Sequence, residues 1–330
     1  MFSDDDLPVL PGRLRRLADE LVDEGVDVLE GAHDPIATLV ELAYALRPQR
    51  FEGRTPTYGV LLPPPGSVLG PGGLAESGVE MIALHELDVQ FARRFADGVT
   101  TFAVREDDQI THIACFDRNL ADEYDLVGLQ TSIGGIVVQR HPNGQVRVFS
   151  PTGVVRWDGV AWHRDPPLAA WVRRLGELAP DLPVEGLRPL LRFAIHELAS
   201  RRIGATLIWR PTDLSVPKHR HEPLVHNAPA LHLDRVGEAA ALAQALSQTD
   251  GAALFDRDTQ LVGLGIRLAP STDADRTIGP MRGMRHTSAL RYSHDDPDAI
   301  VVVVSESGTV TIMHCGHAYA TIERGDESIG

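Results

Sequence analysis

Apolar positions along this chain fall into two textures. In the first half they come in short, often interrupted runs. Leu14, Leu17, Leu21 and Val22 mark one side of a helix predicted over 10–29. A second helix is predicted over 36–46, with Pro35 suited to its first turn. Residues 57–62 alternate like a strand, and Pro63-Pro64-Pro65-Gly66 and Gly70-Pro71-Gly72-Gly73 make a loop. A helix is predicted over 84–95 and strands over 100–105 and 110–116. Short strands follow over 136–139, 146–150 and 154–157. Asn143-Gly144, Thr152-Gly153 and Asp158-Gly159 supply turns between them, which predicts an antiparallel meander. Residues 168–178 read as a connecting helix, and 180–183 as a break.

From Gly186 the texture changes. Residues 187–202 read as a strong helix and 205–209 as a strand. A helix is predicted over 236–246, and strands over 252–255, 261–266, 300–305 and 310–313. Helices alternating with buried, β-branched strands predict an α/β layer domain. The boundary is placed near residue 180. The expected architecture is α/β: a mixed-sheet α/β domain over 181–330, preceded by a smaller α+β domain over 1–180.

Composition narrows the function. The chain has 330 residues and a formal charge of -15. That balance argues against broad nucleic-acid binding, which needs a basic face to neutralise phosphates. Cys115 and Cys315 lie far apart and form no CxxC, so a zinc knuckle is not expected. No apolar run reaches the ~20 residues of a membrane helix. The acidic start, Met1-Phe2-Ser3-Asp4-Asp5-Asp6, lacks the basic region of a signal peptide. A cytoplasmic protein without nucleic-acid or membrane partners is expected.

Three segments carry candidate chemistry. Asp250-Gly251-Ala252 opens a buried strand: an acid, then a residue whose missing side chain permits close approach of a sugar or phosphate to the main chain. Arg285-His286-Thr287-Ser288-Ala289 follows Gly283 and is predicted to open a helix, offering free N–H groups and a forked cation to an anion. Ser305-Glu306-Ser307-Gly308 follows the run 300–304, at a strand end that favours ligands in α/β sheets. Taken singly, each is also an ordinary feature: an Asp-Gly turn, a surface arginine beside a core histidine, a hairpin. His219, His221 and His226 form the densest histidine group, read as a solvated loop, as pocket lining or as a metal site lacking a familiar ligand spacing.

Taken jointly, over roughly 187–325, the three segments resemble the DGA and RHxxA signatures of the diadenylate cyclase catalytic domain, whose members condense two ATP into cyclic di-AMP. The resemblance implies that Asp250 assists a metal, Mg2+ or Mn2+, and the attacking 3′-hydroxyl. It implies that Arg285 and His286 handle the triphosphate, and that Gly251, Ala252, Thr287, Ser288, Ser305 and Glu306 complete the ATP site. Leu268, ending the strand after the DGA segment, is implied to contact adenine through its backbone, and Glu306 to be a second metal candidate. Met284, Thr287 and Ser307 stand where the family often has Thr, Arg and Glu. Two readings follow: a metal-dependent cyclase working across facing domains of two chains, or a weak or inactive sensor that binds ATP or cyclic di-AMP. Residues 54–165 resemble, more weakly, a sensor domain found ahead of some of these cyclases. That implies an unidentified small ligand or protein partner for the first domain.

Overall fold

The computed structural model describes residues 10–67, 78–165, 168–211, 220–225, 227–281 and 283–322, apart from 27, 30, 48, 49, 51 and 54. The chain divides into two compact units with the boundary between Pro167 and Leu168. They are of similar length, so the first is not distinctly the smaller.

The first unit contains helices α1 (Gly12–Asp23), α2 (Pro35–Ala45), α3 (Val89–Ala92) and α4 (Glu123–Ile133). Its strands are β1 (Tyr58–Leu62), β2 (Val79–Ala83), β3 (Thr101–Glu106), β4 (Gln109–Phe116), β5 (Ile136–Arg140), β6 (Val146–Ser150), β7 (Gly153–Trp157) and β8 (Trp162–Asp165). They form one sheet in the order β2-β4-β3-β1-β5-β6-β7-β8, in which β1 and β3 run parallel. The expected meander is present as β5 to β7, and β8 extends it, paired antiparallel throughout. One sheet face, with Val60, Val138 and Val148, buries Leu17 and Leu21 of α1 and Leu39 and Leu42 of α2. The other, with Leu61, Val137 and Phe149, buries Leu126, Leu129 and Ile133 of α4.

Several elements here depart from the sequence pattern, among them strands β2 and β8, which were not expected. The helix expected over 84–95 is only α3 followed by a 3-10 turn at Arg93–Phe95. Asp88 accepts from the Gln90 N–H and starts the helix late, and Glu86 before it has a positive φ of 52°. Helix α4 was not expected. Seven of its eleven residues are buried, which erases the one-sided period that reveals a helix.

The second unit contains α5 (Leu168–Leu178), α6 (Arg188–Arg192), α7 (Val236–Leu246), α8 (Thr272–Thr277) and α9 (Met284–Asp295). Helix α6 continues as a buried π-helical stretch, Phe193–Ala199, in place of a uniform helix over 187–202. The strands are β9 (Ala205–Trp209), β10 (Arg220–Val225), β11 (Ala252–Phe255), β12 (Leu261–Leu268), β13 (Ile300–Val304), β14 (Val310–His314) and β15 (His317–Ile322). Their order is β10-β12-β11-β9-β13-β14-β15, mixed because β11 runs parallel to β9 while β13 runs antiparallel to it. Ile208, Val301, Val303 and Met313 pack beneath Ala289, Leu290 and Tyr292 of α9. Alternate residues Leu207, Ala253, Phe255, Val302 and Ile312 are also buried. Both faces of the central strands are therefore covered, and β13 reads as an unbroken apolar run.

Strand β10 falls where the sequence shows only a histidine-rich loop. Among the three histidines considered there, His219 and His226 and the side chain of His221 lie outside the described residues. Among the described residues, no helix is long and apolar enough to cross a membrane.

Candidate nucleotide site

Helix α9 begins at Gly283, whose φ of 100° suits a residue without a side chain, and no side chain caps it. Its first N–H groups are therefore left for other acceptors. The N–H of Met281 donates to the Thr287 hydroxyl (3.0 Å), which itself donates to the Gly283 carbonyl (3.0 Å). Thr287 thus ties the approach loop onto the helix. Ser288 bonds back to the Met284 carbonyl at 2.9 Å. Ala289 is fully buried against the sheet, which fixes how the first turn lies over it.

Opposite that turn, β11 opens from Asp250 and Gly251. The Gly251 N–H donates to Oδ1 of Asp250 (3.0 Å), and the Asp250 side chain is exposed. Oδ2 has no partner among the described residues. Gly251 has a φ of 100°, and the space where its Cβ would stand is filled by backbone: a Cβ there would lie 2.7 Å from the Gly265 carbonyl carbon. The expected role of Gly251, admitting a ligand to the main chain, is not what its missing side chain does on that side. It admits the neighbouring strand. Gly265 also has a positive φ (70°), and the β11–β12 register shifts between Ala252 and Leu254. This irregularity bends β12 beside the strand that Asp250 opens.

Between these elements lies a cleft of about 720 Å³. Six of the sequence-predicted residues line it: Asp250, Gly251, Ala252, Leu268, Arg285 and Ser288. Four do not. His286 is half-buried, with Nε2 3.4 Å from the Thr311 hydroxyl on β14. Burial, and then the neighbouring Arg285 charge, lower its pKa below the ordinary histidine value. Thr287 faces the approach loop. Ser305 sits in the β13–β14 hairpin turn, where its Oγ accepts from the Thr309 N–H (3.2 Å) and meets the Ser307 hydroxyl at 2.5 Å. Glu306 is exposed in that turn and is brought back toward the site through Gly204. A Cβ on Gly204 would lie 3.1 Å from Glu306 Cγ and 3.3 Å from Arg285 Cζ. The bare backbone there lets both side chains pass.

Sequence reasoning missed Thr206 and Arg267, which also line the cleft. Thr206 stands beside Ala252 in the parallel β9–β11 pair. Arg267 immediately precedes Leu268 and is exposed. Its signal was its position, one residue before a predicted contact. Neither Arg267 nor Arg285 has an ion-pair partner among the described residues. The cleft therefore combines two unpaired guanidiniums, one carboxylate with a free oxygen and a helix N-terminus. These groups suit a polyphosphate carrying a divalent cation.

Residues 192–318 match the family model described as "DisA bacterial checkpoint controller nucleotide-binding" (DAC). Residues 192–318 are a DAC-type nucleotide-binding domain. Residues 15–165 match a second model, "Probable sensor domain DACNK", so the DAC domain follows a DACNK-type domain. Among solved structures, the chain is similar to a hypothetical membrane spanning protein from Bacillus cereus, at 19% identity over 47% of this chain and 87% of that one, with a TM-score of 0.31. It is also similar to a double mutant of DacA from Staphylococcus aureus, at 19% identity over 41% of this chain and 84% of that one, with a TM-score of 0.29. No curated protein matches the chain.

Proposed function

We propose that the second unit binds ATP in the cleft between β11, β12 and α9, and condenses two ATP into cyclic di-AMP with release of two pyrophosphates. The observation that carries this reading is the convergence of Asp250, Arg267 and Arg285 on one cleft within a DAC domain.

In each half-reaction a 3′-oxygen forms a bond to an α-phosphorus, the bond from that phosphorus to the pyrophosphate oxygen breaks, and the 3′-hydroxyl proton passes to water. Arg285, at the first turn of α9, stabilises negative charge building on the triphosphate, and the free N–H groups there act in the same sense. Arg267 is the second phosphate cation. Leu268 is in place to meet the base through its backbone, and Ser288 supports the same turn. His286, whose pKa burial and then Arg285 lower, positions the turn through Thr311.

Asp250, exposed and with one oxygen free, fits a site in which Mg2+ or Mn2+ is held by one carboxylate and substrate phosphates. Glu306, beside Arg285, is the second carboxylate available. When bound, such an ion neutralises phosphate charge and lowers the cost of departing pyrophosphate. The product ring has twofold symmetry, so two such domains face each other, each presenting one nucleotide to the other. ATP as substrate makes the cytoplasm the compartment.

A second reading, nucleotide binding without turnover, is favoured by the local use of the Thr287 hydroxyl and by Met284, 87% exposed at the cleft. One assay separates the two. Purified protein is incubated with ATP and Mg2+ or Mn2+, and cyclic di-AMP and pyrophosphate are measured. Product that disappears in Asp250→Asn supports the cyclase. Product that survives it overturns the site, and tight ATP binding without product supports the sensor.

A further inference from the structure

The first unit has a cavity of its own. It measures about 290 Å³ and lies between the start of α2, the segment after β1 and the β3–β4 turn. Its buried lining includes Ala37, Leu62 and Ile136, together with Thr38, whose hydroxyl is spent on the Asp34 carbonyl. Among the lining residues, the buried charged side chain is Arg105, 9% exposed.

The charge around Arg105 does not balance. Glu41, fully buried, receives Arg93 through Nε at 3.0 Å and Nη2 at 2.7 Å, and also receives Nη1 of Arg105. The Tyr58 hydroxyl donates to the same carboxylate at 2.5 Å and stays protonated, because burial and Glu41 raise its pKa well above the ordinary value. Two guanidiniums therefore share one carboxylate. A buried surplus positive charge is costly unless something answers it. Arg105 Nε donates to the Asp107 carbonyl (3.0 Å), and Nη2 has no acceptor among the described residues.

The mouth of the cavity has the opposite sign. Glu106 and Asp107 are exposed on the β3–β4 turn, and neither carboxylate has a partner among the described residues. Asp34 also lines the cavity and is half-buried, with Oδ1 accepting from the Ala37 N–H at 2.9 Å. A simple anion would satisfy Arg105 but meet these carboxylates on entry. A simple cation would suit the mouth and leave Arg105 unanswered.

We infer that this cavity binds a small zwitterion, an aliphatic α-amino acid, with its carboxylate on Arg105, its ammonium toward Glu106 and Asp107, and its side chain against Leu62 and Ile136. The inference concerns the first unit alone and stands whether or not the second unit turns over ATP.

The test titrates the full chain by calorimetry and thermal shift with leucine, valine and isoleucine, and with two truncated analogues of each. One analogue lacks the amine and the other lacks the carboxylate. The amino acid is expected to bind at least about tenfold tighter than either analogue, as loss of one charged partner implies. The double variant Glu106→Gln/Asp107→Asn changes only exposed side chains and keeps the fold. It is expected to weaken the amino acid about tenfold and leave the amine-free acid unchanged or tighter. Three results overturn the inference: no aliphatic amino acid binds, the amine-free acid binds as tightly as the amino acid, or the double variant binds the amino acid unchanged.

Discussion

Gly251 and Gly265 meet backbone to backbone: a Cβ on Gly251 would come within 2.7 Å of the Gly265 carbonyl carbon and 3.0 Å of its oxygen. The glycine of the DGA segment therefore holds β11 against the bent β12, and through it sets where Asp250 stands. Gly251→Ala adds a clash with main chain to a φ of 100°. It is expected to cost about 1–3 kcal/mol of stability in the second unit. Chemical denaturation checks this, and nucleotide binding is expected to fall with it.

Gly204 offers a milder version of the same logic. There the atoms in the way are the far end of the Arg285 side chain and Glu306 Cγ rather than backbone, and φ is ordinary. Gly204→Ala should therefore fold within about 1 kcal/mol of the parent. Its guanidinium must move away from the cleft, and ATP affinity or turnover should fall about tenfold or more, as expected for a misplaced phosphate cation. A variant that folds and binds ATP unchanged would show that Arg285 does not need this position.

Much of the second unit was legible because its strands are buried on both faces. The ends of β9, β11 and α7 coincide with the sequence pattern, since unbroken β-branched or alanine-rich runs end sharply at Gly204, Asp250 and Ser247. Strand β15 was not legible: His317-Ala318-Tyr319-Ala320 is an edge with small and polar residues and little apolar contrast. The candidate site was legible as separate segments, and six of its ten predicted residues share one cleft. What the pattern could not show was distance through the fold. It gave no sign that Gly204 lies under Arg285, that Gly265 fills the side of Gly251, or that Arg267 faces the same cleft as Asp250. Those relations depend on a strand bulge and on the crossing of α9 over the sheet.

In the first unit, Glu41 holds two buried arginines, and removing its charge isolates both. Glu41→Gln preserves shape and most hydrogen-bonding geometry, so the change isolates the electrostatic part. Leaving Arg93 and Arg105 unanswered is expected to destabilise this unit by about 3–5 kcal/mol. Urea unfolding of the chain, followed by fluorescence, measures it. A loss below about 1 kcal/mol would show that solvent already reaches the pair.

His286 gives the pH dependence a direction. Burial, then Arg285, holds its imidazole below the ordinary value in the folded chain. Above about pH 6.5, the unperturbed histidine value, both the folded and unfolded forms are neutral at this residue and it adds no pH dependence. As the pH falls through that value, the unfolded chain takes up the proton first. The folded state then loses stability until the pH passes the lower folded value, where both forms are charged. The contribution is thus present above the unfolded pKa and lost on the acid side of it. His286→Gln removes the titrating group while keeping a polar side chain that can reach Thr311. Urea midpoints of parent and variant, compared between about pH 7.5 and about pH 5.5, should show a smaller acid shift in the variant. An equal shift in the two proteins would mean that His286 protonates as readily folded as unfolded.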